Sequence, residues 1–404
     1  MLITNDLLLH IYHKLFDNGL KYYEEQIARP TLTTLSETLY QQYLTASQQE
    51  KNPELQSFYA FLAAYWAVPH IFLPSNDQLI ALSQQAMNRA RENNDYDSSP
   101  NIGDEALATF LQQRMQTITS TLPAPYQTLL PQIVEKILKA DEPKAMDEFL
   151  AVLAEDELLQ NGMQLQQDYT QFRPRAHYTD SSLLKTYFMA MKWLMREKFY
   201  FQSPTLTKAA LILGSTIDEQ DLQKLNQLSQ QISQLIGTDD DLTLNELLQW
   251  QATKNFTTPS TMLANFNEQL RTELASLHPQ NIQSTAYSTD TVMMTTETEA
   301  KQATDGFVFF GEKFTLDSYL FDLTTAGSAE KEFAYKPNIQ TALIVPDILE
   351  DNALAHQLVK LRLSEKADEN KIREDAASGF TQYSSYEKVK EEAKAALSAL
   401  RNKE

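Results

Sequence analysis

Nine glycines in 404 residues leave this chain few positions where the backbone can take the left-handed conformations that tight hairpins and phosphate-cradling loops demand. The remaining route to a buried core is helix on helix. Hydrophobic residues make up 42% of the chain, an ordinary share for a folded sequence rather than a disordered one. The expected fold class is mainly α: an irregular multi-helix globular bundle with at most a short β-hairpin near 306–316.

Apolar residues at helical spacing mark a first helix, where Leu8, Ile11, Tyr12, Leu15, Phe16, Tyr22 and Tyr23 recur behind Thr4 or Asn5 as N-cap. Similar patterns predict helices over 31–49, 54–68, 76–93, 104–120, 124–139 and 143–158, with connectors that carry Pro30, Pro53, Pro74 and Pro143. The apolar run FYAFLAAYWAV at 58–68 is well short of the roughly 20 residues of a membrane span and reads as a buried helix. NNDYDSSPNIGD at 93–104 has the composition of a surface connection.

Further on, a helix is predicted from Asp180 to about Tyr200, and Ser203-Pro204 starts another as N-cap and first-turn proline. Gly237 stops the helix that carries Leu225, Leu228 and Ile232, and TLNE at 243–246 is a capping box. The polar stretch from His278 to Asp305 reads as a long loop. GFVFFGEKFTLDSYLFD at 306–322 is the likeliest strand or hairpin, and SSYEKVKEEAKAALSALRNKE is a closing helix. The expected organisation is two poorly separated lobes, 1–170 and 171–404.

Lys and Arg total 34 against 54 Asp and Glu, a net charge of −20. That charge repels nucleic acid phosphates and anionic lipid head groups, so neither is an expected partner. The absence of cysteine excludes disulfides, zinc-thiolate sites and cysteine nucleophiles. No GxSxG elbow, P-loop or dinucleotide-binding glycine fingerprint occurs. No cofactor and no transmembrane segment is expected.

Chemistry concentrates in two places. Projecting the first helix at about 100° per residue sets Asp6, His10, His13 and Asp17 in one polar stripe opposite Leu8, Ile11, Leu15 and Tyr22. Imidazole and carboxylate together can ligate a metal or move a proton, with His10, His13 and Asp17 as the ligand set. They can equally form i, i+4 pairs on a wet face, the reading preferred here.

The second place is QFRPRAHYT at 171–179. Pro174 pushes Arg173 into an extended conformation, and period-two alternation then sends Arg173, Arg175 and His177 to one side. Phe172, Pro174, Ala176 and Tyr178 fall on the other. A cationic edge of this kind invites an anion, either a ligand or the chain's own carboxylates. The expectation is that this strap crosses the first helix and unites Asp6 and Asp17 with Arg173 and Arg175. Asp239, Asp240 and Asp241 lack the glycine and glutamate of a calcium loop and read as a turn. His70, His278 and His356 have no legible partner.

With these motifs the sequence resembles a bacterial and archaeal family, a domain of unknown function found mainly in exported proteins and lipoproteins. TNDLLLHIYHKLFD at 4–17 looks like that family's Thr-Thr-Asp-x-x-Leu-His-x-Tyr-His-x-x-Phe-Asp, which carries over to Asp6, His10, Tyr12, His13, Phe16 and Asp17. QFRPRAHYT looks like its Phe-Lys-Pro-Arg-Gly-His-Tyr-Thr, with Ala176 where the family has glycine. GFVFFGEKFTLDSYLF at 306–321 resembles its aromatic stretch ending in Asp-Ser-Tyr. The pattern loosens after Lys336, the family's Trp-rich C-terminal region is missing, and the chain begins almost on the first motif, as in a shortened or trimmed member.

The resemblance implies an extracellular, cell-surface or periplasmic location, although no signal peptide precedes the first motif, and it supplies no activity. The expected role is a binding or structural scaffold with a buried Arg/His/Asp cluster formed by Arg173, Arg175, His177, Asp6, His10, His13 and Asp17. Its partner would be another protein or an anionic ligand. The alternative is a metal-dependent hydrolase built on His10, His13 and the neighbouring aspartates.

Overall fold

A computed structural model describes residues 5–92, 104–143, 145–160, 166–254, 256, 258–278, 305–311, 313–324, 342–366 and 386–401. Helices dominate. The chain begins with α1 (Asn5–Tyr23), passes through a π turn over Glu24–Ala28 and continues as α2 (Arg29–Gln49) without leaving helical geometry. Pro30, expected in a connector, therefore lies inside a helix. A proline ring clashes with the carbonyl four residues earlier in a regular α-helix. The π turn widens the helix just ahead of it, and the Arg29 N–H bonds the Glu24 carbonyl across the wider ring.

α3 (Pro53–Phe72) folds back on α2 behind Asn52, whose side chain accepts from the Glu54 and Leu55 backbone N–H groups. Every residue from Phe58 to Phe72 is buried, as a helix apolar on all faces must be. Around it stand α5 (Asp104–Thr119), α6 (Tyr126–Lys139), α8 (Ser182–Arg196) and α9 (Pro204–Thr216). α4 (Asn76–Glu92) and α7 (Glu148–Gln160) pack outside them on α5 and on α6 with α9. Rings from four distant segments fill the centre: Phe61 stacks on Phe149 at 4.8 Å, Phe149 meets Trp193 edge-on at 5.0 Å, and Trp66 meets Phe309 at 4.8 Å. The Trp193 indole N–H donates to the Tyr65 carbonyl at 2.9 Å.

α10 (Glu219–Ile236) ends at Gly237, whose φ of 140° is open only to glycine, and Thr243 with Glu246 forms the capping box of α11 (Leu244–Thr253). α12 (Pro259–Asn265) and α13 (Glu268–Ala275) follow. One apolar core runs from Ala28 to Phe310 and includes side chains from both sides of residue 170. A second cluster, with Leu320, Ile344, Ile348, Val359 and Leu397, joins α14 (Leu316–Thr324), α15 (Ile344–Glu350), α16 (Ala353–Lys366) and α17 (Tyr386–Arg401). The predicted connection at 93–103 and most of the polar stretch before Asp305 lie outside the described residues.

The strands are pairs of residues. β1 (Ala145–Met146) pairs with β2 (Gln166–Gln167), β3 (Phe199–Tyr200) with β5 (Gly306–Phe307), and β4 (Thr238–Asp239) with β6 (Lys313–Phe314), all antiparallel. The stretch 306–316 does form strand, but its two halves do not form a hairpin with each other. Each takes a partner from a different earlier loop, so the segment staples the ends of α8 and α10 to the core.

Two glycines permit that close approach. A Cβ at Gly306 would stand 2.7 Å from the Phe199 carbonyl oxygen, and one at Gly311 would stand 2.4 Å from Asp241 Oδ2. No helix of the described residues is long and apolar enough to cross a membrane.

Candidate functional site

The polar stripe of α1 does not end at Asp17. Continuing it by four and then three residues reaches Lys21 and Glu24, the latter at the mouth of the π turn and only 4% exposed. The strap lies over this end of the stripe. After an extended Arg175, residues Ala176–Thr179 form a single 3-10 turn that delivers two side chains to one carboxylate. His177 Nε2 lies 2.7 Å from Glu24 Oε2, and the Tyr178 hydroxyl donates to Glu24 Oε1 at 2.5 Å.

The other face of the imidazole is closed by an acid as well. His177 Nδ1 stands 3.5 Å from Asp17 Oδ1, so the ring bridges two carboxylates one helical stretch apart. Lys21 pairs with Asp17 at 3.3 Å and donates to Asp180 just beyond the turn, and Ser181 donates to Glu25 at 3.3 Å. Burial pushes the Glu24 carboxyl up, against the opposing pull of the Tyr178 and His177 hydrogen bonds. Burial and the Glu24 charge push the Tyr178 phenol up, so it remains a donor at neutral pH.

The turn stands on an unusual backbone. Ala176 has φ 49°, in the left-handed region that costs a Cβ-bearing residue about 1–2 kcal/mol. The glycine that the resembling motif carries at this place would hold the same conformation without that strain.

The predicted arrangement needs three corrections. Arg173 joins no α1 carboxylate among the described residues: its Nη2 donates to the Ala140 carbonyl at 3.0 Å. Arg175 is exposed and joins no carboxylate among the described residues. Proline did hold the backbone extended here, but the 3-10 turn that follows breaks the period-two alternation, and the grip on the helix passes to His177 and Tyr178. Tyr178, assigned to the apolar back, is therefore a polar contact, and Glu24 was not among the expected residues.

Of the expected set, the structure joins His177 and Asp17 and leaves His10 and His13 exposed. The Asp6 side chain lies outside the described residues. Among those residues, no group of three or more His, Asp or Glu side chains is placed to hold a metal ion.

Held at its polar end, α1 leaves its apolar side exposed as well. Ile11 is 45% exposed, Leu15 69% and Tyr22 67%, with Tyr12 and Phe16 also open. The apolar face that periodicity assigns to the core is solvent-facing. Residues 10–16 are open on the polar side as well, so α1 is held at its Glu24 end rather than by its own hydrophobic stripe.

A second polar cluster is sealed inside the core where α8 ends. Arg196, Glu197 and Lys198 are consecutive and buried. Lys198 pairs with Asp241 at 2.5 Å, Arg196 Nε donates to Gln167 Oε1 at 2.7 Å, and Gln167 Nε2 donates to Glu197 Oε1 at 2.7 Å. Asp147 is buried nearby and accepts from the Phe149 and Leu150 backbone N–H groups, while Glu197 Oε2 is buried without a hydrogen-bond partner among the described residues. Burial first, and then the neighbouring acid, push Glu197 well above the usual carboxylate range.

The aspartate run is part of this interior. Asp240 and Asp241 are buried, and Asp239 is paired with Lys313, so the turn expected here also anchors the 306–314 staple. The remaining histidines also find partners: His278 Nδ1 lies 2.9 Å from Glu246, and His356 Nδ1 lies 2.9 Å from Asp347.

No curated protein and no solved structure matches the chain. Residues 1–388 match the family described as protein of unknown function (DUF3160), and the chain belongs to that family.

Proposed function

We propose that this protein is an extracytoplasmic, cell-surface binding protein that uses α1 as its docking element. One observation carries the reading: α1 is latched by its polar end, yet exposes Ile11, Tyr12, Leu15, Phe16 and Tyr22 along one side. Contiguous exposed apolar surface on a soluble chain marks an interaction site, and aromatic anchors dominate the energy of such sites. The partner that fits is a protein with an apolar groove and an acidic rim. Lys14 on α1 and Arg175 beside the latch are both exposed in a chain that is otherwise strongly negative, and charge complementarity of that kind sets orientation and on-rate.

The test uses the intact protein in its native cells, with a photo-crosslinking residue placed at Leu15, Tyr22 or His10. The reading expects a discrete heavier adduct from positions 15 and 22, none from 10, and recovery of the chain in the surface or periplasmic fraction. Adducts that are equal from all three positions, or an adduct of twice the chain's mass, would replace the proposed partner by unspecific contact or by a second copy. Recovery from the cytosol would remove the location.

A further inference from the structure

A cleft elsewhere on the molecule is unrelated to the α1 latch. It opens between α2, the connection from α3 to α4, and α5, with a volume of about 440 Å³, within the range of small-molecule sites. Arg114 of α5 lies half-buried in its wall. Its Nε donates to the His70 carbonyl at 2.8 Å, its Nη1 donates to Gln78 Oε1 at 2.8 Å, and its Nη2 lies 3.0 Å from His70 Nδ1.

These contacts fix the guanidinium in place without neutralising it. A guanidinium has five N–H donors; Nη2 faces both ring nitrogens of His70, at 3.0 and 3.3 Å, of which only the unprotonated one can accept, so one N–H on each terminal nitrogen has no acceptor among the described residues. Among the described residues, no carboxylate lies within ion-pair distance of Arg114; the acid whose charge it feels is Glu37, which is exposed at the mouth of the cleft. A charge held this far from water is normally paired. Here no described residue supplies a paired counter-ion.

The surroundings define the ligand further. His70 is 7% exposed and stacks on Tyr40 with ring centroids 5.2 Å apart and planes within 22°. Burial, reinforced by the adjacent Arg114, lowers the His70 imidazole to about 3, so it is neutral at physiological pH and adds no second positive charge. The rest of the wall offers hydroxyls and amides, including Gln41, Gln113, Thr117 and Thr121. A single fixed fork of donors beside neutral polar groups suits the planar two-oxygen geometry of a carboxylate.

We propose that this cleft binds a small hydroxylated organic carboxylate, with Arg114 holding the carboxylate and the stacked Tyr40–His70 pair forming the floor beside it. The site is built from α2, α3, the start of α4 and α5 and does not depend on the docking role of α1.

Isothermal titration of the intact chain tests this, with D-glucuronate as the probe, inorganic phosphate as the competing oxyanion and D-glucose as the uncharged control. The expected result is saturable one-to-one binding of glucuronate and none of glucose. Arg114→Gln should abolish binding, but it also removes contacts to His70 and Gln78. The decisive variants are therefore at Thr117, exposed and one helical turn beyond Arg114. Thr117→Glu places a carboxylate where it can pair with Arg114 and should weaken glucuronate at least tenfold relative to Thr117→Gln, which alters the same wall position without adding a charge. Absence of saturable glucuronate binding, saturation by phosphate alone, or equal affinity in the Glu and Gln variants would overturn the proposal.

Discussion

Glu24 and His177 are 153 positions apart in the chain, and a 2.7 Å contact between their side chains latches the strap to the end of α1. Removing the acid leaves His177 and the Tyr178 hydroxyl without their acceptor in a poorly solvated place. Glu24→Ala should cost about 3 kcal/mol of unfolding free energy, within the range for breaking a buried polar pair, and Glu24→Gln should cost less. Arg175→Ala should change stability by less than about 0.5 kcal/mol, as exposed substitutions away from special features do. Denaturant melts of the three variants check the ranking, and a larger loss from Arg175→Ala than from Glu24→Ala would refute this account of the latch.

The strained position next to His177 offers a gain. Ala176 is exposed at φ 49°, so glycine relieves the backbone without opening a cavity. The left-handed strain of about 1–2 kcal/mol is offset in part by the greater freedom of glycine in the unfolded chain. Ala176→Gly should therefore stabilise by roughly 0.5–1 kcal/mol, and Ala176→Val should destabilise; the midpoint of urea unfolding reads both.

The carboxyl pair of Asp147 and Glu197 makes stability depend on pH. Burial raises both groups above their ordinary range, so the folded chain retains a proton that the unfolded chain has already released. Folding then binds protons, and this contribution is full at acid pH, falling as pH rises from the ordinary carboxylate range through the raised one. The slope is up to about 1.4 kcal/mol per pH unit for one proton. Glu197→Gln removes the ionisable group from this buried position and keeps an oxygen for Gln167. Melting temperatures from pH 5 to 8 should fall less steeply in this variant than in the parent, and parallel profiles would show that the pair holds no retained proton.

The staple at 306–314 should be sensitive to one methyl group. Because a Cβ on Gly311 would meet the Asp241 carboxylate, Gly311→Ala has to displace the acid from Lys198 or move the strand segment. Both members of the Lys198–Asp241 pair are buried, so a loss of about 3 kcal/mol is expected, comparable to that of Lys198→Met. Similar losses from the two single variants and a double variant that is far from additive, measured by denaturant unfolding, would be the signature of one shared contact.

Local features were legible from the residues alone. α3 is apolar on every side, Thr243 caps α11 with Glu246, Gly237 terminates α10, and Ser203 caps α9, each by chemistry confined to a few neighbouring positions. The π turn was not legible, because nothing in Glu24–Ala28 distinguishes it from ordinary helix except Pro30 just downstream, which reads as a break. The strands of 306–314 could be sensed from composition, but their partners at 199–200 and 238–239 are set by tertiary packing.

The latch was visible in part. Asp17 and His177 stood in the expected cluster, and Glu24 lies on the same stripe one step beyond the point where the helix was expected to end. Arginine, the likelier partner for a carboxylate on chemical grounds, goes elsewhere: Arg173 donates to the Ala140 carbonyl and Arg175 is exposed. His70 and Arg114 come together only because α3 and α5 pack side by side, a relationship that has no trace in the spacing of either segment.

The widened turn at Glu24–Ala28 also works as an aiming device. Each residue of α-helix advances the azimuth by about 100°, so deleting a single residue there and restoring regular winding would swing everything ahead of it by that angle relative to α2. The aromatic stripe would then point away from the direction it now faces, even with every one of its side chains intact. Whatever meets this helix reads the phase of one irregular turn as much as the side chains that the turn presents.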